Sequence, residues 1–244
     1  MDFDFSDDQV ALRDAVQKWV EKGYTFERRR AIVEAGGFDR GAYGELAELG
    51  LAGLYIDEAH GGLGMGPVEG MVVMEALGGG IVLEPLAQTL IASGVIGAYG
   101  GDDVKSAWLP KIASGEALVV LALQERGARY RLDRLATTAN SAGGGWHVSG
   151  HKHLVAAADR ADAFLVPAVA NGKPALFLVE AGAAGVKTSG HLTQDGSRAG
   201  DLTLDNAPAM LVSANGQTAL EHAVDIGIAA ACAEGALGPA PEPG

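Results

Sequence analysis

The sequence predicts an α+β multidomain fold: a helical N-terminal domain, an antiparallel β barrel or sandwich, and then a returning helix. Three observations predict it. Apolar residues recur at helical spacing up to about residue 116, the pattern shortens to strand-length runs and alternations from Ala117, and helical spacing returns near Gln217. The boundaries that follow are 1–116 for an all-helical domain, 117–213 for a β middle domain, and 214–244 for the start of a C-terminal helical domain with a Gly/Pro tail.

The first helix is announced by a capping box, Ser6 with Gln9, and by Phe5 and Val10 at the staple positions around it. Asp7 and Asp8 suit the positive end of the helix dipole. Leu12, Val16, Trp19 and Val20 fall on one face. Further helices are predicted at 26–34, 40–49, 68–77, 85–99 and 102–114, separated by glycine-rich breakers such as Gly36–Gly37 and Gly78–Gly80.

In the β region "ALVVLAL", "GWHVSGHKHLVA", "AFLVPAV", "PALFLVE" and "DLTLDN" read as strands. Residues 140–145, 171–173 and 205–208 carry turn chemistry between them. The closing helix shows an apolar stripe at Leu220, Val224, Ile228 and Ala231, with no following element to pack against. It stops at "GPAPEPG", which reads as a linker or a truncation rather than a natural terminus.

Composition narrows the function classes. Of 244 residues, 48% are apolar and 20% charged, the balance of a soluble globular chain. A formal net charge of −13 argues against nucleic acid or an anionic membrane surface as partner, since both need clustered Lys and Arg. A single cysteine, Cys232, rules out an internal disulfide. The acidic start "MDFDFSDDQ" lacks the basic and apolar regions of a signal peptide, and no apolar run approaches a membrane span, so a cytoplasmic location is expected.

"HGGLGMGP" has no basic residue near it and sits among helices, so a tight turn or close backbone approach fits it better than a phosphate loop. His147, His151 and His153 lie close together, with 151 and 153 on one strand face. Without a cysteine nearby, surface strand histidines are the preferred reading over zinc. "ERGARYRLDR", at 125–134, follows a strand directly and combines glycine, guanidinium groups and an aromatic. Its arginines fit a pyrophosphate or CoA phosphate and fit rim salt bridges equally well.

Taken together, "DFDFSDDQVALRDAVQKWV", "ELGLAGLYIDEAHGGLGMGPVEGMVVMEALG", "KIASGEALVVLALQERGA" and "GGGWHVSGHKHLVAAADRADAFLV" resemble, in that order, the landmarks of the acyl-CoA dehydrogenase family. "ERGARYRLDRLATTA" and "TQDGSRAGDLTL" are similar to its pimeloyl-CoA dehydrogenase small-subunit type. The resemblance implies FAD as cofactor and α,β-desaturation of an acyl-CoA thioester. It also implies a homo- or hetero-oligomer with another subunit of the family, and an electron-transfer partner. On that pattern the last helix is the first of a C-terminal four-helix bundle whose remainder is missing.

Carried onto this sequence, the flavin loop falls on Leu123, Gln124, Arg129 and Tyr130, and the hairpin beside the flavin ring on Leu154, Val155 and Ala156. Gln124 stands where the family has a threonine hydroxyl, and its amide still donates. Arg129–Tyr130 replaces a Gly–Ser pair, offering a guanidinium instead of open backbone. The bundle normally supplies the catalytic glutamate. Here only Asp225 and Glu221, on the last helix, are weak candidates for a base. The expectation is a family subunit that does not catalyse alone; the alternative is a non-catalytic structural or regulatory subunit of a heteromeric acyl-CoA dehydrogenase.

Overall fold

The computed structural model describes residues 4–128 and 131–236. Six helices come first: α1 (Asp7–Gly23), α2 (Phe26–Glu34), α3 (Arg40–Glu48), α4 (Pro67–Gly79), α5 (Leu86–Tyr99) and α6 (Asp102–Ala113). Ser6 caps α1 by accepting the Gln9 N–H, and the Gln9 side chain returns a bond to the Ser6 N–H. Val16 of α1 is fully buried, with Leu12, Trp19 and Val20 packed beside it against Val73, Met74 and Leu77 of α4. In the glycine cluster, a Cβ at Gly62 would run into the Ile56 carbonyl, so a close backbone approach is what that glycine permits.

Seven strands follow: β1 (Val119–Leu121), β2 (Thr138–Ala142), β3 (Gly145–Ala156), β4 (Ala163–Ala170), β5 (Lys173–Glu180), β6 (Val186–Leu192) and β7 (Arg198–Ser213). Pairing runs β4–β2–β3–β7–β5 and returns from β5 to β4, which closes a barrel. β1 joins one edge of β4 in parallel, and β6 joins β7. Two tight turns carry positive φ at both central residues, Gly143–Gly144 and Asn171–Gly172, as two-residue hairpins require.

The alternation along β4 and β5 sorts their side chains. Phe164, Val166, Ala175, Phe177 and Val179 fill the barrel, while Ala163, Leu165, Leu176 and Leu178 pack outward against α5, α6 and the last helix. Burial on both faces explains why these strands read as continuous apolar runs.

Two sequence expectations need correction. Asp205–Pro208 is not a turn but the interior of β7. The residue count between the Gly150–Leu204 and Val148–Ala207 pairs differs by one, and Asn206 has φ of 51°, so the turn-type residues make a β-bulge. The last helix, α7 (Gly216–Gly235), does have elements to pack against, namely α4 and α5. It buries Ala219, Leu220, Ala223 and Ala230, whereas Ile228 of the expected stripe is 57% exposed. Small alanines make up most of the buried face around Leu220, and Ile228 is left on the flank. Among the described residues no helix is long and apolar enough to cross a membrane.

Candidate active site

The stretch between β1 and β2 leaves the barrel along one edge of β4. β1 pairs with the first half of that edge and β2 with its last two residues. Leu123 and Gln124 are half-buried at the start of this excursion, and Arg126–Ala128 form a turn. Arg129 and Tyr130 lie outside the described residues. The Gln124 carbonyl accepts the His153 N–H at 2.9 Å, so the loop is tied to the tip of β3 just before Leu154.

At that tip β3 bulges. Between Lys152 and Val155 it carries one more residue than β7 does opposite, and Leu154 has φ of 52°. A leucine with positive φ is uncommon and marks a position held by its surroundings. The bulge splits the Leu154–Val155–Ala156 trio. Leu154 stands 64% exposed, Val155 enters the barrel core, and Ala156 borders a cavity between the barrel and the helices. The trio therefore does not present one continuous wall.

Under the loop lies a buried ion pair that sequence reading missed. Glu125 accepts hydrogen bonds from Ala136 N, Thr137 N, Thr137 Oγ1 and Lys152 Nζ, the last at 2.7 Å. Lys152 is fully buried, and its second bond goes to the Pro167 carbonyl at 2.8 Å. Burial pushes the Lys152 ammonium down to about 8. Burial also works against the Glu125 charge, but the Lys152 and Thr137 bonds outweigh it and hold the carboxyl below its ordinary value. The readable signal was phase: Lys152 occupies the inward-facing alternation of "HVSGHKHLVA" together with Val148.

Two spaces flank this region. A cleft of about 500 Å³ is lined by Arg126, Gly127, Arg134, His151 and His153. Arg131, in the same arginine-rich stretch, pairs with Asp133 at 2.6 Å instead. His151 and His153 bond to Thr203 and Asp201 of the adjacent strand β7. The second space, about 240 Å³, is the cavity that Ala156 borders; α4, α5 and the Val82–Pro85 segment supply most of the rest.

Polar ties hold the domains around that cavity. Arg40 bonds to Asp162 at 3.0 Å, Arg198 to Asp159 at 2.6 Å and to the Gly36 carbonyl at 3.0 Å, and Gln88 Oε1 accepts the Leu121 N–H at 3.0 Å. Asp225 and Glu221 are both exposed on α7, Glu221 bonds to Gln217, and neither belongs to the cavity lining.

Models of the acyl-CoA dehydrogenase N-terminal domain and middle domain match residues 6–116 and 120–207. The chain belongs to the acyl-CoA dehydrogenase family. It is 33% identical over 191 residues to the acyl-CoA dehydrogenase FadE12 of Mycobacterium tuberculosis, a match covering 74% of this chain and 48% of that one. Among solved structures it resembles the ChsE4-ChsE5 complex from Mycobacterium tuberculosis, with 28% identity, TM-score 0.82, and coverage of 96% of this chain and 64% of that one. An acyl-CoA dehydrogenase from Bacillus anthracis complexed with FAD is similar at 26% identity and TM-score 0.83, over 92% of this chain and 41% of that one. The chain spans about half the length of the curated acyl-CoA dehydrogenases it matches.

Proposed function

We propose that this chain is a subunit of an FAD-dependent acyl-CoA dehydrogenase that introduces an α,β double bond into an acyl-CoA thioester. The observation that carries the reading is the junction of the Gln124 loop with the Leu154 bulge. There the Gln124 backbone accepts the His153 N–H, Leu154 stands exposed at positive φ, and Ala156, two residues on, borders a cavity.

The residues fit a planar, partly polar ring system. Leu154 would lie against its face, the Gln124 amide would donate to its edge, and the guanidinium groups of Arg126 and Arg134 would serve a pyrophosphate. FAD held there would accept the hydride leaving the substrate's β-carbon. Phe38, Met74, Leu77 and Leu86 give the cavity an apolar wall against which an acyl group would pack. The exposed Asp225 and Glu221 are not among the residues that line this cavity, so neither is placed to take the α-proton there. A like or related subunit and an electron-transfer partner complete the system.

The test is an absorption spectrum of the chain purified with its partner subunit, followed by addition of acyl-CoA. Flavin bands that bleach with substrate support the reading; no bound flavin sinks it. A second reading, a non-catalytic subunit, is favoured by the placement of Asp225 and Glu221. It wins if the partner raises neither FAD content nor activity.

A further inference from the structure

The cavity bordered by Ala156 contains a charged-type side chain that the proposed chemistry does not use. Glu84, at the start of α5, is only 4% exposed. Its Oε1 accepts the Asp39 N–H at 3.3 Å, a long bond, while Oε2 is buried with no hydrogen bond among the described residues. The adjacent Tyr24 hydroxyl already accepts the Leu83 N–H at 3.0 Å. Most neighbours in the cavity are apolar: Phe38, Met74, Leu77, Leu83 and Leu86. An unpartnered carboxyl oxygen in such surroundings costs stability that a bound ligand can return.

The walls have different origins. Ala156 and Ala157 belong to the barrel, and Glu84 belongs to the helical domain. A ligand reacting on the Ala156 side therefore meets Glu84 with another part of its chain. At about 30 Å³ per water-sized group, roughly 240 Å³ holds about eight such groups, the size of a six-carbon acyl group with one polar atom.

Charge then selects the polar atom. Asp195 and Glu234 share the lining, and its one guanidinium, Arg198, is engaged by Asp159 and the Gly36 carbonyl. That balance disfavours a second carboxylate. Burial holds the Glu84 carboxyl above the ordinary carboxylate range. The free Oε2 is an acceptor, and a ligand hydroxyl supplies the donor it lacks without bringing a second charge into the cavity.

We propose that Glu84 is a specificity-determining residue that selects acyl-CoA thioesters carrying a hydroxyl on the acyl chain. The proposal rests on the functional reading above, which places the acyl group in this cavity. The test measures equilibrium binding of hexanoyl-CoA, 6-hydroxyhexanoyl-CoA and adipoyl-CoA to the chain purified with its partner subunit, and to the same complex carrying Glu84→Leu or Glu84→Gln. The hydroxylated thioester is expected to bind about three- to tenfold more tightly than hexanoyl-CoA, the worth of one buried hydrogen bond, with adipoyl-CoA weakest. Glu84→Leu removes the preference and Glu84→Gln, which keeps a donor and an acceptor, retains it. Equal affinity for the three thioesters, or a preference that survives Glu84→Leu, overturns the proposal while leaving the functional reading intact. Failure of every thioester to bind overturns both.

Discussion

Replacing Lys152 with methionine keeps an unbranched side chain, one atom shorter, and removes its charge. Lys152 is fully buried and its Nζ contacts Glu125 Oε1 at 2.7 Å, so the substitution strands a carboxylate 7% exposed under the Gln124 loop. Breaking a buried pair from one side costs about 3–5 kcal/mol. Glu125 keeps the Ala136 and Thr137 donors, which places the expected loss near the lower end, about 3 kcal/mol.

For a chain of this length, each kcal/mol moves Tm by about 2–4 °C, so thermal unfolding at pH 7 should show a drop of roughly 6–12 °C. The depressed Glu125 carboxyl contributes stability above its unfolded-state pKa that is lost as pH falls through the folded one. The gap between wild type and variant should therefore narrow towards about pH 4, where the stranded carboxyl takes a proton. Pairing Lys152→Met with Glu125→Met should recover most of the loss, because a buried pair exchanged for apolar groups is often neutral. A single variant that melts within a degree or two of wild type at pH 7, or a double variant worse than either single one, refutes the clasp.

Glu84→Gln should stabilise the chain at neutral pH. The raised folded pKa of Glu84 means that wild type loses stability as pH rises from the unfolded value through the folded one, and glutamine does not titrate. Melting curves should show a variant advantage at pH 7 that disappears near pH 4; an advantage independent of pH contradicts it. Leu154→Asp removes an exposed side chain, so Tm should change by no more than the equivalent of about 0.5 kcal/mol while bound flavin, read by absorbance, falls severalfold. Unchanged flavin content would place the ring elsewhere. Gly62→Ala should destabilise by about 1–3 kcal/mol in denaturant titration, because the new methyl meets the Ile56 carbonyl.

Much of the fold was legible. Helix boundaries followed from caps and breakers, and β3 and β5 from alternation and apolar runs, because their burial repeats at the period of the backbone itself. β6 was not, since Lys187, Thr188, Ser189 and His191 are exposed and leave no apolar signature. β2, "TANSA", escaped for the same reason, with Ala139 its one buried residue. The bulge at Asn206 was misread because one residue at positive φ serves a turn and a kinked strand alike.

At the site, loop and hairpin could be located only through similarity to a family. The Glu125–Lys152 pair and the carboxyl of Glu84 link residues far apart in sequence or depend on what surrounds a single side chain. Neither leaves a local pattern beyond a charge in an apolar phase.

The route of the chain between β1 and β2 bears on how this molecule tolerates change. Both strands dock on the same edge of β4, while barrel closure is carried by β2, β3, β4, β5 and β7. The segment between them is thus anchored to β4 at both ends, and Glu125 pins it a third time, to Lys152 of β3. Substitution at its exposed positions, such as Arg126, Arg131 and Arg134, leaves all three anchors in place, so the surface there can change without reopening the question of whether the chain folds. A chain bearing Gln124, Arg126 and further arginines there has had room to diverge in that surface while remaining the same shape.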